Sequence, residues 1–179
     1  MRAARRAVFL DRDGVLNIPE FREGRSFAPR RLEDFTLYED AAASVAALKT
    51  AGFLTIAVTN QPDIGAGLVR ADIVAAMHER LVQATGIDAV YVSPHTRKDA
   101  CSCRKPNTGM LIKAVSRFGI DLSASFMVGD RISDVLAGQS AGCRTVFIDL
   151  GYTAEDKPAA VDHICTGVAA AADWILEHD

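Results

Sequence analysis

The chain has 179 residues, of which 49% are apolar and 24% charged, proportions that are typical of a soluble globular protein. Its formal net charge of −3 comes from 20 basic and 23 acidic residues, a balance that predicts neither a nucleic-acid partner nor a membrane surface. No apolar run is long enough for a signal-peptide core or a transmembrane helix. We therefore expect one cytoplasmic domain over residues 1–179, a monomer by default.

Short apolar runs alternate with helical patterns along the chain, which predicts an α/β fold: a doubly wound, Rossmann-like parallel sheet with helices on both faces. Strands are predicted at residues 7–10, 53–58, 89–92, 125–128 and 145–148. Helices are predicted at residues 40–51, 70–85, 107–118, 135–141 and 168–177, the first of them capped by Asp40. Residues 18–38 show no sustained periodicity and predict a long irregular excursion, too short for a separate cap domain.

Two acidic residues, Asp11 and Asp13, directly follow the first predicted strand. They belong to the segment Asp-Arg-Asp-Gly-Val-Leu-Asn at residues 11–17, at the strand end where open α/β sheets bind their ligands. Two carboxylates this close repel each other unless a cation lies between them, and their oxygens suit Mg²⁺. Since Asp and Gly are also ordinary turn residues, the segment alone is equally consistent with a plain turn.

Further polar groups follow the other predicted strands at the same edge of the sheet. Thr59 and Asn60 end the second strand and offer neutral hydrogen-bonding groups. Lys105 lies in the excursion after the third strand, and Asp130 follows the fourth. Phosphoryl transfer through a covalent intermediate needs a carboxylate nucleophile, a second acid, Mg²⁺ and a cation that neutralises the phosphate. The polar groups at these strand ends together supply that set of residue types.

The excursion after the third predicted strand contains a histidine and two cysteines, His95, Cys101 and Cys103. Thiolates combined with an imidazole favour Zn²⁺. A structural zinc site normally has four ligands and only three strong ones occur here, so three ordinary loop residues are the alternative. Because no export signal is evident, the four cysteines of the chain are expected to be reduced.

Four motifs in order resemble the haloacid dehalogenase superfamily of phosphatases: Asp11-Arg12-Asp13-Gly14, Thr59-Asn60-Gln61, Lys105-Pro106, and Gly129-Asp130 with Asp134. One branch of the superfamily is especially similar. The similarity lies in the residue sequence of the first motif, in the lack of room for a cap domain, and in the Pro-His…Cys-x-Cys-Arg-Lys-Pro loop. That capless branch contains the D,D-heptose 1,7-bisphosphate and histidinol-phosphate phosphatases. The resemblance covers most of the chain, from Phe9 to Asp149.

The resemblance implies roles for the acidic residues. Asp11 would be the nucleophile that becomes an aspartyl phosphate. Asp13 would protonate the leaving oxygen and then deprotonate the attacking water. The Mg²⁺ ion would be held by Asp11, the backbone carbonyl of Asp13, and Asp130. Asp134 would orient that end of the site.

The resemblance also implies the contacts of the substrate. The residues that would bind the phosphoryl group are Thr59, Asn60 and Lys105. Arg104 would contact the substrate, and together with Arg22 and Arg25 it could bind a second phosphate. This favours a 7-phosphatase acting on D-glycero-D-manno-heptose 1,7-bisphosphate, with histidinol phosphate or another sugar phosphate as the alternative. A non-catalytic sugar-phosphate-binding module is less favoured, because it needs no general acid at Asp13.

One position departs from the family pattern. The zinc loop of the family begins Cys-Pro-His, whereas this chain has Ser93-Pro94-His95. A serine hydroxyl is a poor zinc ligand, so a zinc ion would be held by His95, Cys101, Cys103 and a water, or would be absent. Its role would be structural, and the chemistry would belong to Mg²⁺.

Overall fold

A six-stranded parallel sheet forms the centre of the computed structural model, which describes residues 4–179; residues 1–3, the start of the predicted domain, lie outside that range. Its strands are β1 (Ala7–Leu10), β4 (Leu54–Asn60), β5 (Ala89–Ser93), β6 (Phe126–Gly129), β7 (Arg144–Ile148) and β8 (His163–Cys165). The strands β2 (Glu20–Arg22) and β3 (Arg25–Phe27) form a separate antiparallel hairpin. The sheet order β5-β4-β1-β6-β7-β8 is that of a doubly wound fold, as predicted.

Helices cover both faces of the sheet. They are α1 (Ala41–Thr50), α2 (Pro62–Gly65), α3 (Ala71–Thr85), α4 (Gly109–Phe118), α5 (Ile132–Ala141) and α6 (Val168–Glu177). Val8 and Leu10 of β1 pack with α1, α3 and α6 on one face, whereas Ala7 and Phe9 pack with α4 on the other. Because both faces of the central strands are buried, these strands are continuous apolar runs rather than alternating ones.

The carboxyl ends of the central strands meet where the order of the sheet reverses. Leu10, the last residue of β1, pairs with Ala57 of β4 and with Val128 of β6. The backbone N–H of Asp11 still donates to the carbonyl of Val128 at 2.9 Å. Asp11 therefore leaves the sheet between the ends of its two neighbours, at the switch point where such folds bind ligands.

Several elements differ from the sequence-based expectation. The excursion at residues 18–38 contains the β2–β3 hairpin, whose three-residue strands are too short to give a periodic pattern. Strand β8 was not predicted, and α5 begins at Ile132 rather than at residue 135. Asp40 does precede the first residue of α1, as predicted, but its side chain makes no capping hydrogen bond, and its backbone carbonyl accepts from the N–H of Ser44 at 2.9 Å. None of the helices in residues 4–179 combines the length and the hydropathy of a membrane span.

Candidate active site

The ammonium group of Lys105 lies at the centre of a buried group of acids. Its Nζ donates to Asp11 Oδ1 at 2.8 Å and to the carbonyl of Val58 at 2.7 Å. The same atom lies 2.7 Å from Asp134 Oδ1, and only 2% of the lysine is exposed. Burial alone would lower the pKa of Lys105, but the two carboxylates outweigh it and the pKa is raised. The lysine is therefore a fixed positive charge beside the end of β1.

Lys105 contacts two members of a group of three buried carboxylates, Asp11, Asp130 and Asp134, which we call the acid cluster. All three are buried, and each offers an oxygen within 4.8 Å of the others. Burial and the charge of Asp134 raise the pKa of Asp11 to about 6, against the opposing charge of Lys105. Burial and the charges of Asp11 and Asp134 raise the pKa of Asp130 well above its usual range. Three acids with one lysine leave an excess of negative charge that a divalent cation would balance.

The donor set of the acid cluster fits Mg²⁺, which prefers hard oxygen ligands. The Oδ1 atom of Asp130 is buried without a hydrogen-bond partner, so the protein itself leaves this acceptor unsatisfied. Its other oxygen, Oδ2, accepts a hydrogen bond from the hydroxyl of Tyr152. Asp134, in contrast to Asp130, already has protein partners: it accepts a hydrogen bond from the backbone N–H of Arg131 at 3.1 Å and faces Lys105. Asp11 and Asp130 are therefore the side chains best placed to hold the ion.

Two glycines allow the backbone to approach the acid cluster. Gly14 has a φ of +86°, and a Cβ there would lie 2.1 Å from Asp130 Oδ2. Gly129 ends β6, and a Cβ there would overlap the side chain of Asp134. A residue with a side chain at either position would displace an acid, so both motifs require glycine here.

Asp13 lies beside the acid cluster and is held by three donor side chains. Arg12 Nη2 donates to both of its oxygens, at 3.0 and 3.1 Å. Asn17 Nδ2 donates at 3.0 Å, and Gln61 Nε2 donates at 2.7 Å. Burial would raise the pKa of Asp13, but the charge of Arg12 and these hydrogen bonds outweigh it, and the pKa is lowered. The carboxylate is therefore kept in one orientation by its donors.

The two predicted phosphate-binding residues at the end of β4 make different contacts. Thr59 is fully buried, and its Oγ1 accepts a hydrogen bond from Gln61 Nε2 at 2.9 Å. Asn60 donates to the backbone carbonyl of Lys105 and accepts from the backbone N–H of Lys105, both at 3.0 Å. Asn60 thus fastens the loop that carries the lysine to the end of β4, a positioning contact that the sequence did not predict.

The β2–β3 hairpin packs beside the acid cluster. The ring of Phe21 contacts the ring of Tyr152, with centroids 5.2 Å apart. Arg131, which precedes α5, donates to the carbonyl of Ser26 at 2.6 Å. Because Tyr152 and Arg131 flank the acid cluster directly, the hairpin is connected to it through both residues.

Arginine side chains gather at the same end of the molecule. Arg104 is half-buried, and burial together with the charges of Arg97 and Arg131 lowers its pKa. Arg22 and Arg25 are cross-strand neighbours at the turn of the hairpin. The predicted substrate-binding arginines are thus present, but only Arg104 is partly buried.

The predicted zinc ligands His95, Cys101 and Cys103 do lie together, with one donor atom of each within 4.8 Å of the others. The sulfurs of Cys101 and Cys103 are joined as a disulfide, so the prediction of reduced cysteines does not hold for this pair. The tight turn between them brings their Cα atoms to 5.4 Å, within reach of such a bond. Ser93 is fully buried, with its hydroxyl oxygen 3.1 Å from Cys103 Sγ. Only the reduced loop offers two thiolates to a metal.

The structure brings residues to the site that the sequence analysis did not assign to it: Arg12, Gln61, Tyr152 and His78. Arg12 and Gln61 lie inside two of the recognised motifs. The position of Arg12, a charged residue almost directly after a buried strand, could have indicated a role in the site. Tyr152 gave no signal, because only the fold brings it to Asp130. His78 of helix α3, to which the sequence analysis assigned no role, lies with its Nε2 3.2 Å from Arg12 Nη1.

Comparison with known proteins agrees with this geometry. A family model described as "HAD-hyrolase-like" matches residues 102–171. The D-glycero-D-manno-heptose-1,7-bisphosphate 7-phosphatase of Thermosynechococcus vestitus is 33% identical, over 97% of this chain and 97% of its own length. The D-glycero-beta-D-manno-heptose-1,7-bisphosphate 7-phosphatase of Pasteurella multocida is 31% identical, over 92% of this chain and 94% of its own. The crystal structure of D,D-heptose 1,7-bisphosphate phosphatase from B. bronchiseptica, complexed with magnesium and phosphate, has a TM-score of 0.82 and 27% identity, covering 97% of this chain and 99% of that one.

Proposed function

The chain belongs to the haloacid dehalogenase superfamily, in the capless phosphatase branch, and we propose that it is a Mg²⁺-dependent D-glycero-D-manno-heptose 1,7-bisphosphate 7-phosphatase. The observation that carries the proposal is the meeting of Asp11, Asp13 and Lys105 with Asp130 at one edge of the sheet. This arrangement combines a nucleophile, a separate acid and a phosphate-neutralising cation within one buried site.

In the first step Asp11 attacks the phosphorus atom and forms an aspartyl phosphate, while the bond to the sugar oxygen breaks. Asp13 donates its proton to that oxygen. The donors around Asp13 lower its pKa in the free protein, so the proton has to be acquired when an anionic phosphate binds beside it. Lys105 faces the transferring group and neutralises part of its charge.

In the second step Asp13, now a carboxylate, removes a proton from the water that attacks the aspartyl phosphate. Phosphate leaves, and Asp11 is restored. Asp11, Asp130 and the backbone carbonyl of Asp13 would hold Mg²⁺, which would supply the charge neutralisation that lets an anionic nucleophile approach a phosphate. Asp134 keeps Lys105 and the start of α5 in place around it.

The substrate assignment is supported by the relatives and by the charge around the site. The named relatives act on heptose 1,7-bisphosphate, which carries a second phosphate far from the one removed. Arg104 offers a half-buried cation beyond Lys105, and the hairpin adds Arg22 and Arg25. Histidinol phosphate carries an ammonium group instead of a second phosphate, which a group of arginines would repel.

A second metal completes the proposal. In the reduced protein His95, Cys101 and Cys103 bind Zn²⁺, because an imidazole and two thiolates within 4.8 Å form a soft donor set for that ion. Ser93 stands where a fourth ligand would be needed, and its hydroxyl is a weak one. Metal analysis of protein purified under reducing conditions tests this, and about one equivalent of zinc that is lost in Cys101→Ser is the expected result.

The experiment that tests the main proposal is phosphate release from a set of substrates in the presence of Mg²⁺. The set contains both anomers of D-glycero-D-manno-heptose 1,7-bisphosphate, histidinol phosphate and several hexose phosphates. We expect kcat/KM for one heptose bisphosphate to exceed that for the hexose phosphates by several orders of magnitude. The product should retain its phosphate on C1, which NMR of the product identifies.

Asp11→Asn is the matched control, because it preserves the volume of the side chain and removes the nucleophile. Turnover should fall by about 10⁴-fold or more. Hydrolysis that survives this substitution would contradict the covalent mechanism. Equal rates for all phosphates would overturn the substrate assignment alone, and no release from any of them would indicate a binding module.

A further inference from the structure

The guanidinium group of Arg12 is completely buried between Asp13 and helix α3. Its Nη2 atom donates to both oxygens of Asp13. The other terminal nitrogen, Nη1, faces the helix, where it lies 3.2 Å from His78 Nε2 and 3.9 Å from Met77 Sδ. The Nε atom has no hydrogen-bond partner. The guanidinium group thus has Asp13 on one side and His78 on the other, and its carbon lies 5.3 Å from the centre of the Phe35 ring.

The contact with Arg12 determines the tautomer and the charge of the His78 imidazole. Since arginine carries only N–H donors, His78 Nε2 must accept, and the ring proton must be on Nδ1. Burial and the charge of Arg12 lower the pKa of His78 to about 4, so the imidazole is neutral near pH 7. A neutral acceptor suits this position, because a carboxylate there would compete with Asp13 for the guanidinium group.

We propose that His78 is a positioning residue for phosphoryl transfer: it anchors Arg12 through Nε2, and Arg12 in turn holds the Asp13 carboxylate in the orientation that protonates the leaving oxygen. The inference rests on the proposed phosphatase function and adds a residue that lies outside the four motifs. Helix α3 supplies the anchor, since its buried residues Met77 and Leu81 pack against the sheet. The placement of the general acid thus depends on a helix that provides no group to the chemistry itself.

This role makes a prediction about leaving groups. A general acid matters most when the leaving oxygen is strongly basic, and little when the leaving group is a stable anion. A disordered Asp13 should therefore slow the release of phenol from phenyl phosphate far more than the release of nitrophenolate from 4-nitrophenyl phosphate. A substitution that only loosened the fold would slow both reactions equally.

The test compares the wild type with His78→Leu, which removes the acceptor, and His78→Gln, which restores one through its amide oxygen. Release of phenol and of nitrophenolate is measured in single turnovers with enzyme in excess, so that only the first phosphoryl transfer is observed. We expect His78→Leu to lower the phenol rate by about 10- to 100-fold, a part of what a general acid contributes. Its nitrophenolate rate should change by less than about threefold. His78→Gln should restore the wild-type ratio of the phenol rate to the nitrophenolate rate. Glu79→Gln, an exposed neighbour on α3, is the matched control and should leave both rates unchanged.

The outcomes separate this inference from the proposed function. If the wild type hydrolyses neither these aryl phosphates nor any phosphate ester of the substrate set described above, the phosphatase proposal itself fails. If the wild type is active and His78→Leu lowers both rates by the same factor, His78 is only structural and the inference is wrong. The same conclusion follows if His78→Gln folds, as judged by its unfolding midpoint, but keeps the altered ratio of the leucine variant.

Discussion

The acid cluster and the cysteine loop at residues 93–103 are both groups of possible metal ligands, but they are positioned in different ways. Asp11 and Asp130 directly follow strands whose ends are aligned by parallel pairing, and both are buried. His95 and Cys101 lie on irregular chain and are only half-buried. Strand ends place the acids before any ion binds, whereas the geometry of the loop also depends on whether its cysteines are oxidised. Substitutions at the sheet edge should therefore affect the chemistry much more than substitutions in the loop.

After the loss of the nucleophile itself, the largest effect is expected for Lys105→Met, which removes the ammonium group that contacts Asp11 and Asp134. We expect kcat/KM to fall by about 10³-fold, because the transferring phosphoryl group loses its neutralising charge. The free energy of unfolding should fall by about 3 kcal/mol, since two carboxylates remain buried without a partner. Activity assays and urea denaturation measure the two effects.

A matched control for this substitution is Lys157→Met. Lys157 also pairs with an aspartate, Asp149, but its side chain is 59% exposed. An exposed pair of this kind is worth less than about 1 kcal/mol. If both variants lose the same stability, the acid cluster is not the low-dielectric environment that we describe.

A smaller effect is expected for Tyr152→Phe, which removes the hydroxyl that donates to Asp130 Oδ2. Loss of a residue that orients a metal ligand typically weakens metal binding by about 10-fold. We expect the Mg²⁺ concentration that gives half-maximal activity to rise by that factor, with kcat at saturating Mg²⁺ nearly unchanged. An unchanged Mg²⁺ requirement would show that Asp130 is held without the tyrosine.

The pH dependence of Mg²⁺ stabilisation provides a further test of the acid cluster. The pKa of Asp11 is raised to about 6, above its usual value, so protonation between pH 6 and 4 stabilises the metal-free protein. That contribution is lost as the pH rises through 6, where the carboxylate becomes free to bind Mg²⁺. The increase in Tm caused by Mg²⁺ should therefore be larger at about pH 7.5 than at about pH 5, by at least about 3 °C. Equal shifts at both pH values would contradict this. Asp11→Asn should narrow the difference without abolishing it, because the raised pKa of Asp130 also opposes metal binding at low pH.

The smallest effect on catalysis is expected in the loop. Ser93→Cys places a thiol where the serine hydroxyl now lies 3.1 Å from Cys103 Sγ, and so completes a set of four strong ligands. We expect the reduced variant to bind zinc at least about 10-fold more tightly than the wild type, while kcat changes by less than about threefold. Competition with a chelating dye measures the affinity. A large change in kcat would show that the loop is coupled to the chemistry more closely than its position suggests.

Much of the site was predictable because its residues follow strands directly. Asp11, Asp13 and Asp130 each come just after an apolar run, and the edge to which parallel strands deliver such residues is known in advance. Lys105 was predictable only through its motif, because it lies on a long loop that Asn60 fastens to β4. The disulfide was not predictable, because the same spacing of cysteines also suits a metal.

The sequence by itself determined the fold class, the doubly wound arrangement and the acids at the strand ends, since hydrophobic periodicity and strand termini are local properties of the chain. The tertiary structure decided the partners of those acids. Tyr152 reaches Asp130, and His78 reaches Arg12, across many intervening residues. Such contacts depend on how whole helices and loops pack against the sheet. No local sequence pattern encodes which distant residues this packing brings together. The orientation of Asp13 and the support of Asp130 are therefore properties of the folded chain rather than of its motifs.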